Sequence, residues 1–146
     1  RARHARDSRS RARRTLTVEA AVKPRGPYSL ALSARFASDA TRTFRDGVFT
    51  ALLAVDGRHE LVRAWQSPDG TVSIRAESAA GVARLRWILA LDDDHSEFLR
   101  FVRGDSMLGP ASRALRGLRP VRVATVAQAL LRANPMRDNG AYGNLR

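Results

Sequence analysis

The residues with the most chemical potential in this sequence are arginines. Residues 113–122 read RALRGLRPVR, which sets Arg113, Arg116, Arg119 and Arg122 three apart. A guanidinium is a planar fork of donors that matches phosphate oxygens, so such a ladder is chemistry for a polyanion. Residues 1–14 add seven arginines and no large apolar residue. The contacts to nucleic acid expected from sequence are Arg9, Arg11, Arg13, Arg14, Arg116, Arg119 and Arg122. The whole chain carries 26 basic and 14 acidic residues, a net charge of +12. Only Lys23 is a lysine. A GC-rich genome writes arginine where another writes lysine, so the net charge carries the argument and the Arg-for-Lys choice does not.

Other chemistries find little support. His4, His59 and His95 are scattered, and no HExxH spacing occurs. Asp92-Asp93-Asp94 could hold a hard cation, but a helix-to-helix turn with caps explains it more simply. No metal or organic cofactor is expected. There is no GxGxxG, no GxxxxGK[ST] and no GxSxG. Without cysteine there is no disulfide framework and no thiol nucleophile. Trp65 and Trp87 could stack on bases, yet each lies in an apolar-patterned element and reads first as core. No apolar run reaches the roughly 18 residues of a membrane span, and no signal-like apolar stretch follows the basic N-terminus. The expected setting is cytoplasmic, at the nucleoid, without a membrane partner.

Elements must position whatever does act. Residues 1–14 cannot bury enough surface to fold alone; they read as a disordered tail or as sequence upstream of the true start, with a phosphate-tracking arm as the alternative. From Thr15 to Val22 apolar and polar residues alternate, which predicts a strand. Lys23–Pro27 stops it. Tyr28 to Phe36 fits either period: Leu30 and Leu32 alternate, while Tyr28, Leu32 and Phe36 share a helical face. Asp46-Gly47, Asp56-Gly57 and Asp69-Gly70 then punctuate the chain, and Asp-Gly supplies the positive φ of tight hairpins. Thr43–Arg45, Val48–Val55, His59–Gln66 and Thr71–Ala76 form the strands of an antiparallel meander.

Helices follow. Val82, Leu85, Ile88 and Leu89 share one face, with Arg84 and Arg86 opposite. Asp92–Asp94 ends that helix and caps the next, which carries Phe98, Leu99 and Val102 on its apolar side. Met107–Leu118 is a turn and a short helix, broken at Arg119-Pro120. Thr125 caps a last apolar helix through Val126, Ala129, Leu130 and Leu131. Asn134-Pro135 ends it. The fold class is α+β, a curved antiparallel sheet packed with helices.

Two runs in this order resemble a known family. GPYSLALSARF (Gly26–Phe36) and GLRPVRVATVAQALLRA (Gly117–Ala133) resemble the N-terminal region of bacterial 3-methyladenine DNA glycosylase II and its actinobacterial relatives. These belong to the helix-hairpin-helix DNA glycosylase superfamily, which also holds 8-oxoguanine glycosylase. The resemblance covers about Thr15 to Ala133. It implies a small domain like one repeat of the TATA-binding protein, packed on a helical domain and walling the pocket for a flipped base. It further implies base excision repair of alkylated DNA: an aspartate stabilises an oxocarbenium-like sugar while the N-glycosidic bond is hydrolysed, without metal or organic cofactor.

The departure is as informative. In the family the helix near Thr125 runs on into the helical domain, followed by the hairpin and the catalytic aspartate. Here the likeness ends at Ala133. Asp138 sits in an unrelated Gly- and Asn-rich tail and does not inherit the catalytic role. The expectation is a chain truncated or frameshifted after Ala133: tail 1–14, α+β domain 15–120, the start of a helical domain 121–133 and an irregular tail 134–146. Such a chain has no catalytic residue and is inactive alone. Its partners would be duplex DNA with a damaged base and a helical glycosylase domain supplied in trans. The alternatives are a free-standing basic module that binds nucleic acid without chemistry, and an unstable remnant.

Overall fold

The computed structural model describes residues 17–35, 41–125 and 129. In chain order the elements are β1 (Val18–Val22), α1 (Leu30–Ala34), β2 (Arg42–Arg45), β3 (Val48–Val55), β4 (Arg58–Gln66), β5 (Val72–Ala76), α2 (Ala79–Ile88), α3 (Ser96–Phe101), a 3-10 turn (Val102–Gly104) and α4 (Leu108–Ala114). The strands form one open antiparallel sheet in the order β1-β5-β4-β3-β2. The fold is α+β, as the meander predicts.

The turns follow from their residues. Asp46-Gly47 and Asp56-Gly57 all take positive φ, 51°, 76°, 48° and 75°. These are two-residue turns whose twist suits the flanking strands. The third hairpin differs. Only Gly70 is left-handed there (φ 85°), and Ser67 closes the loop by donating to the Thr71 carbonyl at 2.9 Å. Asp69 accepts from the Thr71 amide and hydroxyl at 3.1 and 2.6 Å. Pro68 fixes its own φ near that of a type I turn, so the glycine is pushed one place along into a bulge.

Alternation sets the faces. Phe49, Ala51, Leu53 and Val55 of β3, Val62 and Ala64 of β4, and Val72, Ile74 and Ala76 of β5 are buried on one side. Leu85, Ile88, Leu89 and Leu91 cover them from α2 and its end. Ser78 caps α2 by accepting from the Gly81 amide at 2.9 Å, and its hydroxyl donates to Glu60 at 2.6 Å. That places a buried carboxylate at a helix N-terminus, where the exposed amide dipoles favour it. α2 ends in a Schellman motif with Ala90 left-handed (φ 54°): Leu91 donates to the Arg86 carbonyl at 3.2 Å, Ala90 to Trp87 at 3.0 Å.

The ambiguous segment after Tyr28 is a helical turn. Ser29 Oγ accepts from the Leu32 amide at 3.2 Å, and Leu30, Ser33 and Ala34 are buried. Phe36 lies outside the described residues, as do Thr15 and Leu16. The apolar side expected of α3 does not form a core. Phe98 is 57% exposed and Phe101 85%, and only Val102 is fully covered. α3 and α4 each pack against the 3-10 turn between them, and neither makes a substantial contact with the sheet. The Thr125 carbonyl accepts from the Ala129 amide at 3.1 Å. The helix expected beyond it, and the tails 1–14 and 134–146, lie outside the described residues.

Candidate nucleic-acid interface

Gly26-Pro27-Tyr28-Ser29 and Gly117-Leu118-Arg119-Pro120 are about 90 residues apart in sequence and meet in space. Ser29 N donates to the Gly117 carbonyl at 2.8 Å, and Arg119 N donates to Ser33 Oγ at 2.9 Å. Gly117 holds φ 90°, and a Cβ there would fall 2.9 Å from Ser29 N and 3.0 Å from the Tyr28 carbonyl carbon. Both the dihedral and the close approach require glycine.

Arg119 locks this junction from inside, which corrects its expected role. It is 1% exposed. Its guanidinium donates to the Ala90 carbonyl at 2.6 Å, to Pro27 at 3.1 Å and to Arg25. The same group lies 5.0 Å from the centre of the Tyr28 ring. Carbonyl oxygens and a π face solvate the cation in place of water. Burial pushes the Tyr28 phenol well above its ordinary range, against the weaker opposing pull of the Arg119 charge.

The other arginines of the ladder go separate ways. Arg122 donates to Asp93 at 2.7 Å and to the Trp87 carbonyl at 3.1 Å. It lies 5.0 Å from the Trp87 ring, and Arg84 lies 4.9 Å from the same ring. Trp87 is 44% exposed, so its reading as core is corrected. Its position three residues after Arg84 puts it on the polar face of α2. Trp65 likewise stands on the outer face of the sheet, half-buried, with Arg75 5.5 Å from its ring. It shares that face with the exposed Leu61 and Arg63 and alternates with the buried Val62 and Ala64. Arg113 and Arg116 are exposed and line a cleft with Arg100 and Arg103, which sequence reasoning did not single out. Arg9, Arg11, Arg13 and Arg14 lie outside the described residues.

The three consecutive aspartates have three different partners. Asp92 accepts two bonds from Arg86, Asp93 one from Arg122, and Asp94 one from the Ser96 amide at 2.8 Å. The Arg86 hydrogen bonds hold Asp92 below the usual carboxylate range, and the Ser96 bonds do the same for Asp94. The N-cap of α3 is His95, which makes no side-chain cap bond, so the expected capping by these aspartates is corrected: Asp94 stands one residue earlier and closes a turn onto Ser96. Among the described residues no three histidine or carboxylate side chains gather at a metal-sized site. No described helix is long and apolar enough to cross a membrane.

No protein-family model and no curated protein matches the sequence. The fold is similar to part of a solved structure, a 3-methyladenine DNA-glycosylase from Archaeoglobus fulgidus, with a TM-score of 0.64 and 18% identity. The alignment covers 75% of this chain and 41% of that one. The chain therefore spans less than half the length of this neighbour. At this identity the likeness establishes the shared fold.

Proposed function

We propose that this chain is the N-terminal domain of a base-excision DNA glycosylase for alkylated bases, and that it binds duplex DNA and forms part of the wall of the damaged-base pocket without performing the chemistry. The observation that carries this reading is the junction of Gly26–Ser29 with Gly117–Pro120. The two runs on which the family resemblance rests are also the two that lock together, within a fold shared with a 3-methyladenine DNA-glycosylase. The exposed apolar side chains Phe98, Phe101, Met107, Leu108 and Leu115 support it further. They give α3 and α4 a surface of the kind that another domain covers. The helical domain, carrying the aspartate that assists N-glycosidic cleavage, would bind there or continue the chain.

The test uses the full 146-residue chain with methylated and unmethylated duplex DNA. Binding to duplex without release of any base is the expected result. Base release by this chain alone would show that catalysis does not lie elsewhere. Absence of duplex binding at low salt would remove the DNA role. Binding that ignores methylation even after a helical glycosylase domain is supplied would favour a basic module without repair chemistry.

A further inference from the structure

Four arginines from separate elements close on one cleft. Arg100 of α3, Arg103 of the 3-10 turn, Arg113 of α4 and Arg116 just beyond it surround a cavity of about 170 Å³, with the hydroxyls of Ser96 and Ser112 also in its lining. Ser96, Leu99 and Arg100 lie on one side of α3, and Arg103 of the 3-10 turn follows at similar spacing. Phe98 and Phe101 fall on the opposite side, so the cleft and the exposed apolar surface are distinct.

The arginines elsewhere at this end of the fold are engaged: Arg86 by Asp92, Arg122 by Asp93, Arg119 by three carbonyls. The four in the cleft make no ion pair and no side-chain hydrogen bond among the described residues. Glu97 of α3 makes no ion pair with them among the described residues, and the carboxylates that flank these elements are committed elsewhere. Asp94 accepts from Ser96, and Asp105 accepts from the Met107 and Leu108 amides at 2.8 and 2.7 Å. Four like charges around one concavity repel each other, and the low-dielectric walls focus their field into it. An anion with several oxygen acceptors relieves that repulsion.

We propose that this cleft seats one backbone phosphate of duplex DNA. The proposal rests on the DNA-binding reading above and gives it a location. A phosphodiester carries one charge and two free oxygens, which suits paired guanidinium forks, while the Ser112 hydroxyl stays bonded to the Gly109 carbonyl at 2.9 Å. Contacts of this type fix the position of a protein on a duplex without reading sequence.

The prediction is quantitative because one phosphate is one counterion-releasing contact. Affinity of the full chain for an undamaged duplex is measured by fluorescence anisotropy across a salt series. The doubles R100Q/R103Q and R113Q/R116Q, the quadruple, and R58Q as a distant control all alter exposed side chains, and circular dichroism confirms that they fold. Each double is expected to bind about tenfold more weakly at low salt and to flatten the slope of log K against log salt by about 0.9, the value for one phosphate. The quadruple should flatten it no further, and R58Q should match the parent chain. Slope changes that add from the doubles to the quadruple would overturn the single seat, because the arginines would then be contacting separate phosphates. Variants that bind duplex like the parent chain would overturn the cleft as a site while leaving the DNA reading intact. If the parent chain binds no duplex, both fall. Loss of binding to vesicles rich in anionic phospholipid, with duplex binding unchanged, would assign the cleft to a membrane surface and also overturn the proposal.

Discussion

Replacing Arg119 by methionine separates a structural cation from a DNA-binding one. The side chain keeps an unbranched apolar stem and loses its donors. The Ala90 carbonyl still receives the Asp93 amide at 3.3 Å, so it stays paired. The Arg25 and Pro27 carbonyls lose the guanidinium that serves them. Each of these part-buried acceptors left without a donor costs about 1 kcal/mol, the low end of the range for a buried group, because water can reach it. The lost contact with the Tyr28 ring adds about 1 kcal/mol. Part of this is offset, because the guanidinium no longer has to be stripped of water and its Nε has no partner where it is now. The balance is a loss of about 2 kcal/mol, or roughly 7 °C in Tm for a chain of this size.

Urea denaturation followed by circular dichroism reads this directly, as a lower midpoint with an unchanged m-value. Arg116→Met is the matched control. Its side chain is exposed, so stability should stay within about 0.5 kcal/mol of the parent, and DNA affinity should fall. The reasoning is refuted if Arg119→Met costs less than about 1 kcal/mol while flattening the salt dependence of DNA binding. That pair of results would mean that the guanidinium reaches phosphate.

Two further outcomes test the same junction. Gly117→Ala should destabilise by about 2 kcal/mol or more, since a Cβ would press on the Tyr28–Ser29 backbone, whereas Gly57→Ala, left-handed with nothing within 4 Å, should cost only the roughly 1 kcal/mol of its dihedral; equal midpoints in denaturant would contradict the close approach. In a Tyr142→Phe background Tyr28 is the only tyrosine, and its raised pKa means that the folded state holds the proton more tightly than the unfolded chain does. Stability from this group is then complete below about pH 10 and declines as pH rises beyond it, so phenolate absorbance should appear together with unfolding. A separate phenolate step in the folded protein near pH 10 would count against burial.

What could be read from sequence was local. The Asp-Gly pairs fix two turns through φ alone, and alternation between them fixes which side chains of β3, β4 and β5 face inward. The side of α2 that carries Trp87 was also readable, because Arg84 stands three residues before it. Exposure of Phe98 and Phe101 was not. Apolar periodicity says that a face is suited to burial and not whether anything described here lies against it. The Glu60–Ser78 bond and the reach of Arg42 to the Arg122 carbonyl at 3.3 Å depend on the fold bringing a strand against a helix start and against the chain beyond α4. The cleft was hidden for the same reason. Arg100 and Arg103 repeat the spacing of Arg113 and Arg116, but only the packing of α3 and α4 on the 3-10 turn between them makes two ordinary pairs one concentration of charge.

The arginine ladder shows why regular spacing misleads when the backbone under it changes. Three-residue spacing puts side chains on one face only while the chain stays helical. α4 ends at Ala114, and Gly117 turns the chain with φ 90°. Arg113 and Arg116 precede that turn and stay at the surface. Arg119 follows it and is carried into the junction with Tyr28. Arg122 comes after Pro120 and pairs with Asp93 beside Trp87. One glycine thus divides four similar residues between an exposed cleft, the interior and an ion pair. The Gly-Leu-Arg-Pro run that carries the family likeness is accordingly a record of how the domain closes. The DNA contact argued here comes from arginines outside that run, so conservation of the fold and loss of DNA binding can be separated by mutation.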